Sequence, residues 1–226
     1  MFVIRFALLS SLFYALNVSM IPLIYTFEVS AFLFLFIRFG TTFCTSLVLT
    51  KSLLSFKKIK HYRLGKWVFV LSLLFGIQSW LYVEAVKYMS VGLASVVLFT
   101  YPLLTYLIVS ITSKRSLDMT TIMMFLLAIT GIAAISQSEE GFYTMAIGIV
   151  LALFSALSYS LILIITPKMS NLRNWEIVKY TTLIPAISFL CLFVFLISLF
   201  SFWSFEFLIR LYKGVYRNVS RQIVVQ

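Results

Sequence analysis

Charge is scarce in this sequence. Only 11% of its 226 residues are Asp, Glu, Lys or Arg, and the acids number seven, against about a quarter charged in a soluble globular domain. Histidine occurs once and cysteine twice. The lone His61, in a basic loop without a second ligand, excludes a histidine metal site, and no metal or other cofactor is expected. Cys44 and Cys191 fall inside apolar stretches without metal-like partners, so they are read as packing residues rather than a disulfide framework. Phosphate-binding glycine loops, HExxH and nucleophile motifs are missing as well. Nothing points to an enzyme.

What the chain has instead is long apolar runs. Apolar residues make up 62% of it and the mean hydropathy is +1.06. A membrane helix needs about 20 mostly apolar residues, and stretches of that kind lie at about 4–25, 29–50, 67–87, 90–111, 119–137, 145–166 and 177–199. They do not alternate as barrel strands would. The expected fold is therefore all-α and integral to a membrane, with seven spans. The first stretch is too long for a signal peptide and precedes no small-residue cleavage site, so it counts as a span.

Basic residues set the expected orientation. Lys51, Lys57, Lys58, Lys60, Arg63 and Lys66 crowd the loop 51–66, which the positive-inside rule makes cytoplasmic. Two spans earlier, the N-terminus is then cytoplasmic too, in a multi-pass protein of the cytoplasmic membrane. Lys114, Arg115, Lys168, Arg173 and Lys179 fall on the same side, and Lys87 alone among the loop residues falls on the other. The net charge of +11 thus serves membrane lipid headgroups. No nucleic-acid partner is implied. Residues 200–226 carry Arg210, Lys213, Arg217 and Arg221 where an outside segment is expected.

An internal repeat explains that anomaly. "ALLSSLFYALNVSMIP" (7–22) aligns without gaps on "ALFSALSYSLILIITP" (152–167), pairing Ser10 with Ser155, Tyr14 with Tyr159 and Pro22 with Pro167. Ala7, Ser11 and Ala15, like Ala152, Ala156 and Ser160, recur every four residues, the spacing that lets membrane helices approach closely. Five spans separate the copies, so the second enters from the opposite side, as in the inverted repeats of secondary transporters. The chain then divides into a first five-helix repeat (1–137), a partial second repeat of two helices (145–199) and a basic tail (200–226). The tail is read as a truncated or frame-shifted end. A homodimer would be one way to supply the absent helices.

Other stretches carry a family resemblance. In "YVEAVKYMSVGLASVVLFTYPLLTYLIVSI" (82–111), Ala85, Tyr88, Ser90, Gly92, Leu93, Ala94, Pro102 and Leu103 match the helix three to helix four signature of EamA-type transporters in the drug/metabolite transporter (DMT) superfamily. "FLFIRFG" (34–40) is similar to that family's second helix, with Arg38 at the matching position, and 148–169 resembles the start of its second repeat. The resemblance implies ten helices in two inverted repeats, cytoplasmic termini, and movement of small metabolites, amino acids or drugs; the substrate itself stays unknown. Two other readings stay open: a seven-span receptor or sensor, and a non-functional remnant of an interrupted transporter gene.

Polar residues inside the spans are the candidate substrate contacts. Arg38 lies about nine residues into its span, near mid-bilayer, where a charge costs at least ~2.5 kcal/mol. It is a tie to Glu84 or a carbonyl, a substrate contact, or a snorkelling side chain. Lys87, three residues beyond Glu84, offers that carboxylate a rival partner. Ser10, Tyr14 and Asn17 form one polar stripe on the first span, with Tyr159 the repeat mate of Tyr14. Stripe and Gln78 alike line a wet cavity or join helices by hydrogen bonds. Pro102 frees the carbonyl of Leu98 and kinks its helix, so Thr100, Tyr101, Pro102 and Thr105 mark a pocket wall or a simple kink.

Overall fold

The computed structural model describes residues 12, 15–16, 18–27, 29–50, 64–114, 119–136, 142–169, 172 and 176–197. All regular structure among them is helical. Helix α1 (Ile21–Thr26) is the described end of the first apolar stretch. Next come α2 (Ala31–Thr50), α3 (Gly65–Ala85), α4 (Val91–Leu98), α5 (Tyr101–Thr112), α6 (Met119–Ser136) and α7 (Phe142–Ile165), which runs into a 3-10 turn at Thr166–Met169. The last, α8, is Glu176–Ile197. Ser10, Tyr14, Asn17 and the tail 200–226 lie outside the described residues.

Hydropathy alone places these helices, because continuous apolar runs of this length have no other stable form in lipid. Among the described residues, Ala31–Val48, Gly65–Ala85, Val91–Thr112, Met145–Met169 and Glu176–Ile197 are long and apolar enough to cross a membrane, and α6 contributes a shorter apolar run, Ile122–Ile132. The outer faces match that environment: Met123, Leu126 and Leu127 on α6 are all more than half exposed. A soluble chain does not expose contiguous apolar faces of this kind. The protein is an integral, multi-pass, all-α membrane protein.

Two apolar cores lie at the two ends of the bundle. One gathers Ile21, Leu35, Phe39, Tyr82, Val83, Leu93, Val97, Ala152 and Ala156. The other gathers Leu64, Val68, Leu71, Ile162, Met169, Leu172 and Tyr180. Helices α3 and α7 pass through both and pack against each other along much of their length. The small residues of α7 make that approach possible: Ala152, Ala156 and Ser160 are fully buried, as expected of the four-residue stripe. At Gly148 a Cβ would stand 3.2 Å from the carbonyl oxygen of Ala85 and 3.0 Å from Cγ of Met89, so any larger residue would push these neighbours back by a few tenths of an ångström.

Cys44 and Cys191 correct one expectation. Both are exposed on the outer faces of their helices rather than packed inside. Facing lipid, a thiol is simply a small apolar group, so burial brings it no advantage.

Candidate functional site

The span 91–112 is broken. Helix α4 starts from Ser90, whose hydroxyl accepts from the Leu93 amide at 3.3 Å, and stops at Leu98; α5 restarts at Tyr101 with Pro102 in its first turn. Proline has no amide hydrogen and its ring crowds the preceding turn, so the break falls where the sequence puts Pro102. Hydroxyls satisfy the carbonyls around it. Thr100 Oγ1 donates to the Val97 oxygen at 2.8 Å, while Thr105 Oγ1 (2.7 Å) and Ser160 Oγ (3.0 Å) both donate to that of Tyr101. Irregular backbone at membrane depth survives against protein or water in this way.

A cavity of about 760 Å³ opens beside the break, between the first span, α4, the start of α5 and α7. Ser19 and Pro22 form one wall, Gly92 and Ser95 another, and Tyr101 and Tyr159 meet edge-on at 4.5 Å and 71°. Among the described residues the lining is apolar and aromatic with a few hydroxyls and no charged side chain. Behind it, Ser95 Oγ shares a hydrogen bond of 2.8 Å with the hydroxyl of the buried Tyr82. The half-buried Arg38, on α2, lies within electrostatic reach of that same hydroxyl. Arg38 is not among the described residues that line the cavity.

This broken span lies within residues 1–137, which match the family model of EamA-like transporters. The chain belongs to the EamA-like transporter family. No curated protein and no solved structure matches it. Membership places it among membrane transporters of the DMT type.

Within this EamA-like chain, the candidate residues divide. Tyr101 and Tyr159 line the cavity together. Thr100 turns its hydroxyl back onto Val97, and the exposed Pro102 shapes the break from outside the cavity. Gln78 is buried between α3 and α7: its Nε2 donates to Ser155 Oγ at 3.3 Å, and Ser155 Oγ donates to the Gln78 carbonyl at 2.9 Å. Glu84 is held by Lys87 at 2.6 Å, the rival pairing read from their i, i+3 spacing. Ser95, Tyr82 and Ser19 were not singled out in the sequence. Tyr82 and Ser95, two hydroxyls in consecutive apolar spans, are the signal that could have found the second wall.

Proposed function

We propose that this chain is a secondary transporter whose solute path is the cavity at the α4–α5 break. The observation that carries this reading is the edge-on meeting of Tyr101, within the family match, with Tyr159, beyond it, beside a cavity whose described lining bears no charge. Sites of secondary transporters lie near mid-membrane between inverted repeats and use discontinuous helices. Apolar walls with a few hydroxyls suit a small amphipathic metabolite or drug with one or two hydrogen-bonding groups. Tyr101 and Tyr159 stack or clamp the apolar part, Ser95 meets a polar group, and Arg38 positions Ser95 through Tyr82. Relative rocking of the two repeats then exposes the cavity to one side and the other.

Uptake into proteoliposomes of a panel of radiolabelled amphipathic solutes tests the reading. At least one solute is expected to enter faster than into protein-free vesicles, with that entry reduced about tenfold in Tyr159→Ala. A panel wholly without protein-dependent uptake contradicts it. The orientation in the cytoplasmic membrane, with the N-terminus inside, rests on the basic loop 51–66. A reporter fused to Met1 is expected to be active only on the cytoplasmic side.

A further inference from the structure

We propose that the cleft between α2, α3 and α8 holds one phospholipid with a phosphoethanolamine headgroup. The cleft shares no lining residue with the solute cavity. Its apolar part, about 350 Å³, runs between Leu73, Gly76 and Trp80 on α3 and Pro185 and Phe189 on α8, with Phe32 of α2 at its edge. At Gly76 a Cβ would meet Pro185 Cβ at 3.7 Å, an ordinary van der Waals contact, so α3 and α8 approach closely there.

A second pocket, about 310 Å³, continues the first toward the end of the bundle that holds the 86–90 turn. Phe32 lines both. Trp80 leads to Glu84, and Leu192 to Leu196, each one helical turn further on. Along α3 the combined lining from Ser72 to Glu84 measures about 18 Å at 1.5 Å per residue. A single leaflet offers about 15 Å of hydrocarbon, half of the full core. An acyl chain therefore fits the groove with its headgroup in the second pocket.

The headgroup follows from the charges. Lys87 Nζ stands 2.6 Å from Glu84 Oε2 and 5.6 Å above the Tyr25 ring, and the Lys87 side chain is 40% exposed. An ammonium has three donors, and the contact with Glu84 uses one. The other donors suit a phosphate oxygen, and the second oxygen of Glu84 suits a primary ammonium. Among the described lining residues the site carries one charge of each sign, Lys87 and Glu84, and so does a phosphoethanolamine headgroup. Phosphatidylglycerol would bring an uncompensated anion to Glu84, and phosphocholine has no N–H to donate to it.

Native mass spectrometry of the full chain tests this in micelles doped with equimolar phosphatidylethanolamine, phosphatidylcholine and phosphatidylglycerol of matched acyl chains. One phosphatidylethanolamine is expected to remain bound, favoured about fivefold over phosphatidylglycerol, the upper worth of an exposed ion pair. Ser188→Phe, which fills the groove, should remove the adduct. Lys87→Ala with Glu84→Gln should keep an adduct and level the three lipids. Equal adducts of all three on the unaltered chain, or a preference unchanged in the double variant, would mean annular lipid only and overturn the proposal. Two copies of the chain leaving together without lipid would overturn it as well, by making the cleft a protein interface.

Discussion

The α3–α7 seam and the wall of the cavity are built from the same kinds of residue and do different work. In the seam, Gln78 and Ser155 exchange two hydrogen bonds, and Ala152, Ala156 and Ser160 are fully buried beside them. At the cavity, Ser95 and Tyr82 share one hydrogen bond, and Tyr101 and Tyr159 meet edge-on with open space beside them. A polar group in a membrane span costs free energy wherever it lacks a partner. In the seam the partners are protein on every side, so the groups act as glue. At the cavity one side is left for a solute, and the same chemistry becomes a site.

The contrast can be broken first at the seam. Ala156→Leu overpacks a helix contact with no room to yield, and it should lower stability by about 1–3 kcal/mol, measured by thermal unfolding in detergent. Wild-type stability would mean that the close α7 packing does not matter. At the cavity, Tyr159→Ala should reduce uptake per inserted molecule about tenfold, the scale of a solute–aromatic contact worth up to ~1.5 kcal/mol. Tyr159→Phe keeps the ring and should retain most of the uptake.

Smaller effects sharpen the boundary between the two regions. Arg38→Ala and Pro102→Ala should each lower uptake about threefold, the worth of one interhelical hydrogen bond in lipid at about 0.6 kcal/mol, without changing the amount inserted. The loss from Arg38→Ala should not add to that from Tyr82→Phe, since both act through Ser95. Uptake unchanged in both single variants would remove Arg38 and Pro102 from the transport machinery. The least effect on transport is expected from Gln78→Ala. It should cost about 0.6 kcal/mol of stability and leave uptake per inserted molecule unaltered.

Much of this was legible in the sequence, for physical reasons particular to membranes. A span announces itself by length and apolarity, and Pro102 announces the break because no neighbour can restore its missing amide. The stripe Ala152, Ala156 and Ser160 was legible as a packing face, since only small residues allow that approach. The local pairing of Lys87 with Glu84 could be read from their spacing. Which way each polar residue faces could not. In water an apolar stripe marks the inside of a helix; in lipid both sides are apolar, so the stripe disappears. For that reason Gln78 and Tyr101 looked alike in the sequence, Ser95 and Tyr82 drew no notice, and Cys44 and Cys191 seemed packed when they face outward. Only the azimuth of each helix, set by its neighbours, separates glue from site.

The central claim is that water and solute reach Ser95 and not the seam. Its most direct test replaces Cys44 and Cys191 by Ala, introduces Ser95→Cys or Ser79→Cys, and measures the rate of labelling by a small, charged, membrane-impermeant thiol reagent in intact vesicles. Ser79 is buried beside Gln78, to whose Oε1 it donates at 3.3 Å. The thiol at position 95 should react at least about tenfold faster than the one at position 79, as expected where open and buried sites differ by about 1.4 kcal/mol or more in access free energy. Equal rates, or faster labelling at position 79, would contradict the account and place the solute path elsewhere in the bundle.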